Sequence, residues 1–290
     1  MATARTLRSR LARLRPGDAG PEHGDARLIP WESALAASTS SRDACCNICG
    51  WHGAQFGGVY HSESAVCPSC NSIARDRYLY WCWTHRTGYE RDARVLETSP
   101  RLDERYRSWM GQRVRYLASD YDESAHKATI KLDIQNIDLP DASLDVILTP
   151  HVLEHVPDTE KSLAEIVRVL APGGSVFIEI PLQQGVTAPP PGVEYHGDNT
   201  LVYWRFGWDL AAKMEAAGLT TATLVTADLD TRVRAGDIDS HYGGDDCDEV
   251  DVLSHAEPDT WAVVADSDEA RRYGFLPDFM FICWHGVKPA

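Results

Sequence analysis

The 290-residue chain carries 43 acidic against 28 basic side chains, a formal net charge of −15, and 43% of its residues are hydrophobic. That length and composition accommodate one α/β domain of about 200 residues plus a small appended module, and the negative balance argues against phosphate-backbone partners unless a local basic face overrides it. No apolar run approaches the roughly 18 residues that a membrane span requires. The first fifteen residues hold Arg5, Arg8, Arg10, Arg13 and Arg15 with no continuous apolar stretch, so they do not read as a signal peptide and the chain is expected to be cytoplasmic.

Residues 1–43, rich in Ala, Arg, Ser, Gly and Pro, are expected to form a poorly ordered leader. Five of the eight cysteines crowd into the next stretch. Cys46 and Cys49, then Cys67 and Cys70, form two C-x2-C pairs separated by seventeen residues, within the spacing of structural zinc sites. Two residues between thiolates let a tight turn aim both at one metal, and four thiolates fill a tetrahedral shell, so Zn2+ here is expected to be structural. Four buried free cysteines, an iron site, or Cys45 in place of Cys46 are the alternatives. Residues 44–72, the zinc ribbon, contain no Lys or Arg. That is a poor grip for nucleic acid and suits a scaffold or a protein contact. Residues 73–92 follow as a linking segment, in which Ile73 to His85 with Tyr78, Tyr80, Trp81 and Trp83 is predicted to be a helix packing the ribbon against the domain.

From Ala93 onward, short apolar runs separated by helical spacing predict repeated βα units and a mostly parallel sheet with helices on both faces. The predicted strands are Arg94 to Thr98, Val114 to Ser119, Thr129 to Asp133, Leu144 to Thr149, Ser175 to Ile180, Thr221 to Val225 and Phe279 to Trp284, seven in all. Leu163, Ile166, Val167 and Leu170 give a helical stripe ended by Pro172-Gly173-Gly174, and a further helix is predicted over Gly207 to Ala217. The prolines and glycines of 183–200 predict an irregular, lid-like loop. Residues 228–269 hold fourteen acidic and two basic side chains, which read as a solvated insertion or, alternatively, an attractor for a cationic acceptor.

In a sheet of this kind, ligands bind at the carboxyl ends of the strands. Glu97, Asp120 and Asp133 each fall at such an end. The segments RVLETSP, RYLASDYD, IKLDIQNIDLPDASLDVILTPHVLEHVPD and EIVRVLAPGGSVFIEIP resemble, in order and spacing, the motifs of class I S-adenosylmethionine-dependent methyltransferases of the Rossmann-like fold. The resemblance is to the type 11-like group with an LEHVPD segment after strand four, and in particular to its subset with an N-terminal zinc ribbon. It covers residues 93–226. It implies S-adenosyl-L-methionine as cofactor, with Asp120 and Tyr121 at the ribose, Asp133 and Ile134 at the adenine, Glu97 and Ser99 at the first loop, and Pro150 and His151 at the methionine end. The sequence departs from the pattern at Thr98-Ser99-Pro100-Arg101, where GxGxG is usual.

Methyl transfer to a hydroxyl needs a base, and His151 and His155, one turn apart beyond strand four, are the candidate catalytic residues, with His196 as a third. Tyr195, Tyr203, Trp204 and Arg205 are candidates to wall the acceptor pocket. The favoured expectation is methylation of a small-molecule acceptor, on oxygen of a sugar or secondary metabolite. A protein or peptide acceptor, RNA less readily, and a non-catalytic cofactor-binding scaffold are the alternatives.

Overall fold

The computed structural model describes residues 44–53, 66–87, 92–100, 104–122, 128–182, 185–196, 199–226, 261–272 and 281–290. The leader and most of the acidic segment lie outside them. The first elements are short: β1 (Ala44–Cys45) pairs antiparallel with β2 (His52–Gly53) between the two cysteine pairs. Helix α1 (Ala74–Thr87) follows. Its consecutive residues Tyr78 to Trp83 are all buried, because this middle part of the helix is apolar all round and lies between two layers, the cysteine module and the sheet.

The chain then runs β3 (Arg94–Thr98), α2 (Glu104–Arg113), β4 (Arg115–Asp120), β5 (Ile130–Lys131), β6 (Leu144–Pro150), a 3-10 turn (Leu153–His155), α3 (Thr159–Val169) and β7 (Leu170–Glu179). After it come β8 (Glu194–Tyr195), β9 (Leu201–Val202), α4 (Leu210–Ala216), β10 (Thr220–Thr226), β11 (Trp261–Val264), α5 (Ser267–Arg272) and β12 (Ile282–Val287). Eight strands form one sheet in the order β11-β10-β12-β7-β6-β3-β4-β5. The pairs among β5, β4, β3, β6 and β7 are parallel, whereas β12 runs antiparallel to both β7 and β10.

Alternation along each strand divides the core between two faces. Leu96, Leu117, Ile147, Val176, Ile178 and Trp284 meet α3, α4 and α5 on one face. Val95, Tyr116, Val146, Leu148, Phe177 and Cys283 meet α1, α2 and the cysteine module on the other. Asp158 caps α3 by accepting from Lys161 N at 2.9 Å, and the stripe Leu163, Ile166, Val169 faces the sheet.

Several predicted boundaries shift. The sheet has eight strands rather than seven, because Trp261–Val264, at the end of the acidic segment, adds an antiparallel edge to β10. Of the predicted last strand, residues 279–280 lie outside the described residues and the strand observed is Ile282–Val287, while the predicted strand Thr129 to Asp133 pairs only over Ile130–Lys131. Pro172-Gly173-Gly174 lies inside β7, not at a helix end, in the register shift opposite Leu144 and Val146. Gly173 takes φ 79°, and a Cβ on Gly174 would sit 2.8 Å from the Ala171 carbonyl oxygen, so glycine fits both positions. The segment 183–200 is also not wholly irregular: β8 pairs antiparallel with β9, and Ala188 bridges Arg205.

Candidate cofactor cleft and cysteine centre

The strand order reverses between β3, which leads outward to β4 and β5, and β6, which continues the sheet in the other direction. A crevice opens there at the carboxyl ends of the parallel strands. It is a cleft of about 640 Å³ whose walls include Ser99, Asp120, Asp133, Ile134, His151 and Tyr203.

Two residues that follow strands in this cleft adopt left-handed backbone: Ser99 after β3 (φ 49°) and His151 after β6 (φ 50°). Such values are uncommon outside glycine. Ser99 thus makes the turn that a glycine loop would make, and its side chain is put to use: Oγ donates to Asp120 Oδ2 at 2.9 Å, while Asp122 N donates to Asp120 Oδ1 at 3.0 Å. A carboxylate accepts several hydrogen bonds at once, the chemistry that suits a pair of vicinal hydroxyls. Asp133 Oδ1 accepts from Gln135 N at 2.9 Å and turns the chain so that buried Ile134 lines the same wall. Tyr121 is 70% exposed and lies at the cleft mouth.

Two expected residues are elsewhere. Glu97 does not line the cleft. Strand alternation turns it to the opposite face of β3, where Tyr116 Oη donates to Oε2 at 2.5 Å and Tyr106 Oη at 3.1 Å. Burial pushes its carboxyl up to about 7, against the lowering effect of the Tyr116 hydrogen bond. Pro150 closes β6 through its pairing with Glu179 and likewise is not a cleft wall.

His151 lies between two charged groups. Arg75 Nη1 is 3.5 Å from Nε2, and Glu154 Oε1 is 3.6 Å from Nδ1. A guanidinium only donates, so Nε2 accepts and Nδ1 carries the proton toward the carboxylate. His155 lines the cleft too, with Nδ1 donating to the Leu201 carbonyl oxygen at 2.8 Å and Nε2 3.8 Å from Glu154 Oε1. Its ring meets that of His196 edge to face, 4.7 Å between centroids. Of the residues expected to wall the acceptor side, Tyr203 lines the cleft, Arg205 instead pairs with Glu194 at 2.7 Å, and Trp204 Nε1 donates to the Pro157 carbonyl oxygen at 3.3 Å. Arg75 and Glu154 were not singled out from the sequence. Glu154 lies between His151 and His155 in HVLEHVPD and could have been, whereas Arg75 is brought in from α1 with no local signal.

The four cysteines Cys46, Cys49, Cys67 and Cys70 converge, with their sulfurs within 4.8 Å of one another. The distances Cys46 to Cys70 and Cys49 to Cys67 are both 3.7 Å. Metal–sulfur bonds of about 2.3 Å in a tetrahedron separate sulfurs by about 3.8 Å, so the set fits zinc. The two knuckles match: Gly50 N donates to Cys46 O at 2.7 Å and Asn71 N to Cys67 O at 2.9 Å, and Gly50 and Asn71 both take positive φ. The four thiols share their protons: against the burial of Cys46, mutual hydrogen bonds favour ionisation of Cys46 and Cys49, while the same bonds and burial push Cys67 and Cys70 up.

The parallel strands, the antiparallel β12 and the carboxylates Asp120 and Asp133 on one cleft wall make a doubly wound α/β sheet with a ligand crevice at the point where its strand order reverses. Residues 103–178 match the family model described as a methyltransferase domain. The chain is 40% identical over 62 residues to an uncharacterized 37.1 kDa protein in transposon TN4556 of Streptomyces fradiae, covering 21% of this chain and 18% of that protein. It is 37% identical over 76 residues to a probable S-adenosylmethionine-dependent methyltransferase of Mycolicibacterium smegmatis, covering 23% of this chain and 30% of that protein. The matches thus span less than a third of either relative. Among solved structures, the Burkholderia thailandensis 1,6-didemethyltoxoflavin-N1-methyltransferase is 18% identical with a TM-score of 0.43, over 74% of this chain and 78% of that one. The Haemonchus contortus phosphoethanolamine N-methyltransferase 2 is 14% identical with a TM-score of 0.44, over 77% and 54%. No described helix is long and apolar enough to cross a membrane.

Proposed function

We propose that this protein transfers a methyl group from S-adenosylmethionine to an oxygen of a small hydroxylated acceptor, of the sugar or secondary-metabolite type. The observation that carries the reading is the shared cleft of Ser99, Asp120, Asp133, Ile134 and His151. In it Asp120 would hold the ribose hydroxyls, Asp133 the adenine amino group, and Ile134 the adenine face. The cofactor, when bound, supplies an electrophilic methyl carbon on a sulfonium whose departure needs no acid. The protein's task is then to align the acceptor oxygen with that carbon and to exclude water.

His151 is the proposed base. Nε2 carries the ring's one lone pair and would take the acceptor's hydroxyl proton in exchange for its Arg75 contact, while Glu154 beside Nδ1 would balance the charge that results. Bound S-adenosylmethionine would supply the methyl group and keep the carbon–sulfur electron pair, and His151 would hold the proton that the acceptor oxygen gives up. The four-cysteine centre is proposed as a structural zinc site that helps hold α1, and with it Arg75, against the sheet.

The test is calorimetry with S-adenosylhomocysteine followed by a screen of hydroxylated small molecules with methyl-labelled cofactor. Micromolar binding and label on an acceptor oxygen are expected. Absence of heat at high micromolar ligand would favour a non-catalytic scaffold, and label appearing only on protein or RNA would reject the small-molecule acceptor.

A further inference from the structure

The acceptor side of the cleft holds a second cluster of ligand-type side chains. Glu154, His155 and His196 each offer one ligand atom, and the three atoms lie within 4.8 Å of one another. Glu154 and His155 come from the turn after β6, while His196 begins the turn between β8 and β9, where its N–H donates to Thr200 O at 3.0 Å. The two segments are locked together. The Leu201 carbonyl oxygen of β9 receives His155 Nδ1–H, and the Glu154 carbonyl oxygen receives the Tyr203 N–H at 2.8 Å and the Trp204 N–H at 3.3 Å.

That locking dictates what His155 presents. With its proton on Nδ1, Nε2 carries a lone pair, and it faces Glu154 Oε1 at 3.8 Å. Glu154 is 2% exposed. A cation placed between these two electron-pair donors would bond to both. Metal bonds to imidazole nitrogen and carboxylate oxygen run about 2.0–2.2 Å, so two such ligands on one ion sit about 3–4 Å apart, which the observed separation meets. The His196 ring stands at 90° to that of His155 and brings a second imidazole to the same point. His151 Nδ1 stands 3.6 Å from Glu154 Oε1, where a small approach would give the carboxylate the outer N–H that metal-bound carboxylates commonly receive.

We propose that Glu154, His155 and His196 form a binding site for a divalent transition-metal ion at the acceptor end of the cleft. Two imidazoles and one carboxylate suit Zn2+, Co2+ or Ni2+ rather than Mg2+ or Ca2+. Three protein ligands leave a coordination position open, and His151, Thr200 and Tyr203 line the adjoining cleft, where an oxygen of the acceptor would complete the shell. This use of the ion rests on the methyltransferase reading; the ion's binding does not.

The experiment is a Co2+ titration of the full metal-free chain followed by visible and near-ultraviolet absorption. The four-cysteine centre gives thiolate-to-metal charge-transfer bands, and the proposed site, with only N and O ligands, gives none. Two equivalents per chain are expected, the second without thiolate bands. Glu154→Gln and His196→Ala, each checked for an unchanged melting profile, are expected to weaken the second equivalent by more than about tenfold and to leave the first intact; His196→Ala keeps the test open if Glu154→Gln does not fold. Saturation of the wild-type chain at one equivalent, or a second equivalent that survives both substitutions, overturns the site. S-adenosylhomocysteine binding measured on the same samples separates the readings: binding with a single metal overturns this site alone, and two metals without binding overturns the methyltransferase assignment alone.

Discussion

Ser99 Oγ donates a 2.9 Å hydrogen bond to Asp120 Oδ2, joining the ends of β3 and β4 across the cleft floor. Asp120→Ala is expected to lower S-adenosylhomocysteine affinity by at least about a hundredfold, since it removes charge-assisted bonds to two hydroxyls. Ser99→Gly should change affinity by only a few fold, because glycine tolerates the φ of 49°. Ser99→Val should cost much more, as a β-branched residue resists that conformation. Calorimetry on the three variants checks the order, and equal affinity for Asp120→Ala and wild type would remove Asp120 from the cofactor site.

Arg168 acts on the same site from a distance. Its guanidinium donates to the carbonyl oxygens of Leu139 and Ile137 at 2.9 and 2.7 Å and to Asp141 and Glu165 at 2.7 and 2.8 Å, while Glu165 accepts the Ile137 N–H at 2.8 Å. It therefore fixes the loop that follows Asp133 and Ile134. Arg168→Ala should reduce stability by about 1–2 kcal/mol, the side chain being one-third exposed, and cofactor affinity by several fold. Hydrogen exchange should quicken at Ile137 and Leu139. Unchanged protection there would reject the positioning role, and Arg168→Lys, which lacks the planar fork, should not restore it.

Glu97 makes stability depend on pH. Its carboxyl holds a proton up to about pH 7 in the folded chain, chiefly through burial, against an ordinary value of 4.5. The folded state binds the proton more tightly, so the resulting stability is complete below about pH 4.5 and is lost as pH rises through 7. At about 1.4 kcal/mol per pH unit, the loss approaches roughly 3 kcal/mol. Glu97→Gln, which stays neutral, should become more stable relative to wild type from pH 5 to pH 8. Denaturant melts across that range measure it; a constant difference would rule out the titration.

Metal removal should be felt well beyond the cysteines. Cys46, Cys67 and Cys70 are buried in one cluster with Tyr78, Trp81 and Trp83 of α1, which also packs on β7. Chelation of the wild-type chain, or Cys67→Ser, is expected to lower the melting temperature by about 5–10 °C and to shift tryptophan fluorescence to longer wavelength. A metal-free chain that melts unchanged would favour four buried thiols over a structural zinc.

Local pattern carried a large part of this structure. The short continuous apolar runs of β3, β4 and β6 are visible in the sequence because each strand is buried on both faces, and the stripe of α3 is visible because one side meets the sheet. Two features were hidden by composition. Prolines and glycines around Glu194–Tyr195 masked a hairpin, and fourteen acidic residues masked the edge strand Trp261–Val264, since short edge strands need little apolar periodicity.

Within the site, the strand-end rule pointed to Glu97, Asp120 and Asp133, of which Asp120 and Asp133 line the cleft and Glu97 does not. A carboxylate one residue before a strand end points to the face opposite its neighbour, and Leu96 and Thr98 already belong to the other side of β3. By itself, then, the sequence determined the sheet, the C-x2-C spacing and the chemical types gathered after each parallel strand, because these follow from local periodicity. Only the tertiary structure decided that Arg75 from α1 meets His151, that His196 from the hairpin meets His155, and that Glu97 faces two tyrosines, because each depends on how segments distant in the chain pack across the sheet.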